Sequence, residues 1–508
     1  MKKMKNMKKI KIIIKFIVLV LFLNACSESF LDISSETDLT IDIYYKSQSD
    51  FELALNGAYE PLRLVYNKRG YFSAGESRSD NAYYDYNADN RGQIDHEFVA
   101  DFTNDATNGD PDDKFYDNYS VIARVNQILA TIDNEDVEFK AQDVKDNIKG
   151  QALFLRALSY FHLVQYFGSV PLHLKPARNL KETALPLSSV DAVYLQIIQD
   201  AKDAIPLLPL KADQGVGRAT KGAAQTLLGN VYVVQKNWTD AVTILNEVVL
   251  SKQYKLITTG FADIFDPANK NNDESVFEVQ FLGSDARTYS SFPYILMPAS
   301  MNVADVAAVT GVSKAESRNG EGIIPAPDLI SAYDTSDLRL DATIGYAVSV
   351  PNGADTILPY AKKFMFPGTH PQHGRTNNNF PVYRYSEVLL LLAEALNESG
   401  SSALALPYLN EVRDRADLDD ILTTDQSALR EIILNERRLE LAFEGKRWLD
   451  LVRTGKADVV MKAFGANVKA DPQKYYFPQG ISPLPAAYTN IETLFPIPAS
   501  EEALNPHY

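Results

Sequence analysis

Tyr83, Tyr84 and Tyr86 stand within a few positions of Arg78, Asp80 and Asn81, in the run SAGESRSDNAYYDYNADN at 73–90. A second run, DARTYSSFPYILMPASMN at 285–302, carries Arg287, Tyr289, Phe292 and Tyr294. Aromatic faces stack on the C–H faces of a sugar ring, while carboxylate, amide and guanidinium groups hydrogen-bond to its hydroxyls. The same composition would also serve simply to pack a long loop against the body. Both runs are loop-rich, and loops held by a rigid frame are where binding residues concentrate.

Other groupings offer less. His370 and His373 are separated by Pro371, which excludes a helix, and no carboxylate or thiol completes a ligand set. The oxygen-rich run DATNGDPDD at 105–113 lacks the spacing and closing glutamate of an EF-hand. Gly215-Val216-Gly217 does not lead from a strand into a phosphate-binding turn and reads as a plain loop. No Gly-x-Ser-x-Gly elbow occurs. Neither a metal nor a cofactor is expected.

At the N-terminus, Lys2, Lys3, Lys5, Lys8, Lys9, Lys11 and Lys15 precede the apolar run 16–23 and then Asn24-Ala25-Cys26. A basic segment, a short apolar segment and a small residue describe a secretory signal over 1–25, too short for a permanent membrane span. Cys26 is the only cysteine and so has no disulfide partner within the chain. Loss of the seven lysines takes the formal charge from −16 to −23. Such an acidic chain argues against nucleic acid, whose phosphates need clustered Lys and Arg.

The elements that must position these residues are helical. Apolar periodicity marks 51–65, where Pro61 predicts a break or kink, then 115–132 and 143–167. Helix pairs follow at 220–235 with 238–250, and at 385–397 with 403–415. Gly229, Tyr232 and Ala241 have the small–bulky–small spacing that lets tetratricopeptide helices approach, as do Ala393, Leu396 and Ala405, and the opening of a further unit is expected at Ala157 and Tyr160. Near the C-terminus, NERRLELAFEGKRWLDLVRTG at 435–455 sets Arg437, Arg438, Glu440, Glu444, Lys446, Arg447, Asp450 and Arg453 among apolar residues. Charges in that setting must pair, so an ion-pair network is expected there, with Thr424 or Asp425 as N-cap and Gly445 and Gly455 as left-handed helix stops.

This C-terminal run, together with FPIPASEEALNP at 495–506, closely resembles the signature of the SusD/RagB family. The runs at 150–172, 219–232 and 383–397, and Phe30-Leu31-Asp32, resemble further family motifs in family order. Leu23-Asn24-Ala25-Cys26 resembles a lipobox, with lipid on Cys26. The resemblance implies a mainly α fold: a degenerate tetratricopeptide-repeat-like scaffold with long inserted loops and few short strands. It implies one lipoprotein domain over 26–508, with an N-terminal part to about 330 and a C-terminal signature part from about 331. It further implies an outer-membrane, surface-facing binder, not an enzyme, which captures oligo- or polysaccharide beside a SusC-like TonB-dependent transporter. Ligand contacts would then fall on the two tyrosine-bearing runs. Two other readings stay open: capture of peptides, as in the RagB branch, and a secreted helical glycoside hydrolase using two carboxylates.

Overall fold

The computed structural model describes residues 44–86, 94–316, 322–350 and 355–508. Two units are distinguished along the chain, Met1–Lys46 and Ser47–Tyr508, and every element below belongs to the second. Cys26 and the 1–25 segment lie outside the described residues. The second unit is mainly helical. Its principal helices are α1 (Gln48–Asn67), α2 (Gly109–Thr131), α3 (Gln142–Phe167), α4 (Val190–Ala204), α5 (Lys221–Val234) and α6 (Trp238–Leu250). Then come α7 (Tyr385–Glu398), α8 (Ser402–Arg415), α9 (Gln426–Glu440), α10 (Arg447–Arg453) and α11 (Ala457–Ala470).

Consecutive helices pack as antiparallel-hairpin neighbours, α1 on α2, α2 on α3, α3 on α4, α5 on α6 and α7 on α8, and α6 on α7 joins the two halves. The small residues expected at the pair contacts are where close approach occurs. A Cβ on Gly229 would lie 2.5 Å from Leu245 of the facing helix. Ala241, Ala393 and Ala405 are wholly buried, as are Ala157 and Tyr160 of α3. Asp425 accepts from Ala428 N at 2.7 Å and starts α9, and Gly455 follows α10 in the left-handed conformation at φ +71°.

Of the break or kink expected at Pro61, no break occurs. α1 runs on through it, because Gly57 O, the carbonyl that a proline four residues later leaves without its helical donor, accepts from Arg124 Nη1 on α2. α9 also ends sooner than expected. It stops at Glu440, and five turn residues intervene before α10, with Phe443 (φ +65°) and Gly445 (φ +75°) both left-handed.

Among the described residues, six short strands form three antiparallel pairs: β1 (Ala82–Tyr84) with β3 (Ile323–Pro325), β2 (Ser275–Val279) with β6 (Phe380–Arg384), and β4 (Ile344–Ser349) with β5 (Thr356–Ala361). Tyr83 pairs with Ile324, so the first tyrosine run is tied to a segment 241 positions further along. Between the helices and these strands lies an aromatic core in which Phe72, Phe292, Phe364 and Phe380 meet at ring separations of 5.1–6.3 Å.

Candidate functional site

The residues singled out at 73–86 turn inward. Ser73–Ser77 form a single π-helical turn, a wider coil than the α-helix. That turn carries Gly75 against Gly445, where a Cβ would lie 2.6 Å from Gly445 Cα and 2.9 Å from its carbonyl oxygen. Glu76 Oε1 accepts from Gly445 N at 2.6 Å, and Tyr71 donates to Glu444 O at 3.0 Å. Asp80 then meets Arg447 at 2.8 Å and Arg438 at 3.0 Å, and Asn81 Oδ1 accepts from Arg438 Nε at 2.9 Å. The first loop run and the C-terminal signature are thus two halves of one buried contact.

This corrects most of the expected ligand contacts. Arg78 is 1% exposed, and its guanidinium lies 4.3–4.8 Å from the Phe102, Trp448 and Phe495 rings while donating to Glu492 O. Burial lowers its pKa to about 9. Tyr83 and Tyr84 are buried side by side, their hydroxyls donating to the two oxygens of Asp101 at 2.7 and 3.0 Å. Burial outweighs those two bonds and pushes the Asp101 carboxyl up to about 7. Phe292 lies in the aromatic core, and Tyr294 is buried against His370, with Tyr294 Oη and His370 Nδ1 3.3 Å apart. Arg78, Asp80, Asn81, Tyr83, Tyr84, Phe292 and Tyr294 are all buried, at 7% exposure or less, so they are not presented at the surface as expected. Only Tyr86, Arg287 and Tyr289 reach the surface. Tyr86 packs on Phe477 at 5.6 Å, Tyr289 lies beneath the Arg375 guanidinium at 4.7 Å, and the Arg287 side chain is 91% exposed.

The expected ion-pair network is present and extends further than the signature. Arg339, Lys363, Arg384, Arg413 and Arg415 meet Glu274, Asp337, Glu436, Glu440 and Glu444 in one buried cluster, five charges of each sign. Arg437, Lys446 and Arg453 form a second buried group with Glu387, Asp450 and Glu394. Burial alone would raise the Glu440 carboxyl, but Arg415, Arg384 and Arg339 together hold it well below the usual range. Asp450 is pushed down to about 2, again against burial, by Arg437 and Arg453. Every cation of the cluster is matched, so its chemistry is that of a clamp.

The oxygen-rich run at 105–113 is likewise structural. Asp105 caps Thr107, Asn108 caps α2, and Asp110 and Asp113 pair with Arg69 and Lys68. Among the described residues no group of three or more His, Cys, Asp or Glu side chains could hold a metal ion.

Two clefts at the surface could hold a ligand. The larger, about 320 Å³, lies between α2, the 171–177 segment and the helix Ala499–Leu504. Its walls are Phe115, Tyr116, Tyr119, Ile122, Pro171 and Pro176, and its polar groups are Asn126, Gln127, His173, Lys175 and Glu501. Tyr119 donates to Pro171 O at 2.7 Å and Tyr116 to Ser500 Oγ at 3.0 Å, which fixes both rings. Gln127 Oε1 is buried and makes no hydrogen bond within the protein. The second cleft, about 260 Å³, lies between α1, the turn at 215–218 and β2. Asn56, Tyr59, Arg63, Arg218, Glu278 and Gln280 supply its polar wall. Gly217 (φ +78°) is pressed on Gln280, where a Cβ would meet the side chain at 2.4 Å. Neither cleft was singled out from the sequence. Tyr116 and Tyr119 are three apart on the outer face of a scaffold helix, a signal that was there to read, whereas the second cleft is assembled from segments some 160 and 215 positions apart.

The profile of the SusD family matches residues 345–508, and one described as starch-binding, associating with the outer membrane, matches 29–233. "SusD-like protein P2" of Formosa agariphila is 28% identical, with 98% of each chain covered. Among solved structures, a "Laminarin binding SusD-like protein" is 27% identical with a TM-score of 0.72, covering 91% of this chain and 100% of that one. A SusD superfamily protein from Bacteroides vulgatus is 26% identical with the same TM-score, covering 91% and 98%.

Proposed function

The chain belongs to the SusD/RagB family, and on that premise we propose that it is a non-catalytic glycan-binding lipoprotein of the outer membrane. The observation that carries this reading is the likeness, over nearly the whole of both chains, to a SusD-like protein named for binding laminarin. In this reading lipid on Cys26 holds the body at the cell surface, where it passes captured oligosaccharide to a SusC-like TonB-dependent transporter. An acyl chain contributes about 0.8 kcal/mol per buried methylene, so more than one chain on that cysteine anchors it durably.

The clefts support a binder over a hydrolase. Glycosidases need two carboxylates facing one sugar bond, about 5–9.5 Å apart. Among the described residues, the larger cleft is lined by one carboxylate, Glu501, and the smaller by one, Glu278. The carboxyls pushed furthest up, those of Glu76, Asp85 and Asp101, are in the core and bonded to protein donors. The larger cleft, by contrast, sets tyrosine rings beside amide and imidazole groups, the combination that suits a sugar. Tyr86, Arg287 and Tyr289 are the remaining contacts from the two tyrosine-bearing runs.

Native gels cast with laminarin, starch or galactan test the reading. The protein should be retarded by at least one of them and release no reducing sugar, and Y116A/Y119A should lose most of the retardation. Passage through every polysaccharide unretarded, with binding instead to a tryptic peptide mixture, would transfer the protein to the RagB-like reading.

A further inference from the structure

The arginines of the buried cluster all have carboxylate partners, yet Arg63 and Arg218 at the smaller cleft make no ion pair among the described residues. Arg63 gives only its Nε–H to protein, to Gln280 O at 2.8 Å. Arg218 stacks 4.9 Å from the Tyr59 ring and donates to Asn56 Oδ1. The nearest acids to Arg63 are Glu60, paired with Arg124 at 2.7 Å, and Asp285. Among the described residues Glu278 is the only carboxylate lining the groove, and it already accepts from Asn271 N at 3.1 Å and Asn379 Nδ2 at 2.8 Å. Behind it, Lys211 and Lys270 bond only to carbonyl and amide oxygens. Arg63 and Arg218 therefore line the groove with one satisfied carboxylate, in a chain whose net charge is −16.

We propose that this groove is an oxyanion subsite, in which Arg63 and Arg218 take the carboxylate or sulfate of an acidic sugar unit. The inference rests on the glycan-binding reading and narrows its ligand class. A planar guanidinium offers paired N–H donors that match two oxygens of a carboxylate or sulfate, which a neutral hydroxyl cannot use in the same way. The Gln280 amide, bonded both ways to Asn271 at 2.9 Å, is held rigid as one wall of the groove. Gly217, with no room for a side chain, keeps the turn bearing Arg218 against that wall.

Titration calorimetry on the whole chain in detergent, with tri-galacturonate, its methyl ester and sulfated dextran oligomers, tests this. At least one anionic probe should bind, and the ester should not. Binding should weaken steeply with added salt, and R63Q or R218Q should each reduce it at least about tenfold while the melting temperature holds. R63K and R218K, which keep charge but lose the fork, should recover part of it. A preference between the two anions says whether carboxylate or sulfate is the group held. Equal binding of acid and ester, or wild-type binding by the glutamine variants, would overturn the subsite. So would laminarin or starch retardation in native gels without any anionic binding, which leaves the family reading standing. Failure of every glycan, acidic or neutral, would sink both.

Discussion

At the residue scale, the tyrosines and their neighbours show how side-chain type can be read correctly and its direction wrongly. Tyr83 and Tyr84 are bonded to a carboxylate, as a sugar-binding tyrosine could be, but the carboxylate is Asp101 of the same core. The Asp101 pair has a measurable signature. With its carboxyl raised from 3.8 to about 7 by burial, the folded state keeps a proton that the unfolded chain has released. The contribution of this one group to stability should therefore be fully present below pH 4 and be lost as pH rises through the window from 4 to 7, by up to about 4 kcal/mol. Asp101→Asn should flatten that stretch of the urea-unfolding profile measured at successive pH values. An unchanged slope would mean the carboxyl is ionised in the folded protein.

At the element scale, glycine substitutions should act with opposite signs. Gly75→Ala drives a Cβ into the backbone of Gly445 and should cost about 1–3 kcal/mol. Gly57→Ala, within α1 and with nothing inside 4 Å, should instead add up to about 1 kcal/mol. Chemical denaturation of the two variants checks both. The helices themselves were legible because each has an apolar period and a local stop signal, and Trp238–Leu250 was read to the residue. What was not legible depends on contacts that no local pattern encodes. The direction of Tyr83 is set by pairing with Ile324, and the continuation of α1 past Pro61 by an arginine on α2. The two clefts escaped for the same reason, since the Arg63 groove exists only once α1, the 215–218 turn and β2 are brought together.

At the scale of the whole molecule, the two buried ionic groups join segments from Glu274 to Arg453. Glu440 alone faces Arg339, Arg384 and Arg415. Glu440→Gln leaves those guanidinium groups one charge short in a site sealed from water, and should cost about 3–5 kcal/mol. Equilibrium unfolding reads this directly, and a loss below 1 kcal/mol would mean that water reaches the cluster. The part played by these charges in the fold was legible from the sequence, because ionic groups amid apolar residues must pair. Their partners were not, since Glu274 and Arg339 lie in segments with no such signature.

The seam between Gly75 and Gly445 also has a temporal meaning. Glu76, Asp80 and Glu274 leave the ribosome long before Arg438, Arg447 and the turn that carries Gly445. Until those arrive, the growing chain holds acids destined for its interior with nothing to neutralise them, and its first half cannot seal. Completion of the fold is thereby reserved for the last stretch of synthesis. A polypeptide cut short before Arg438 should stay open along that seam, and limited proteolysis should cut it where the finished protein resists.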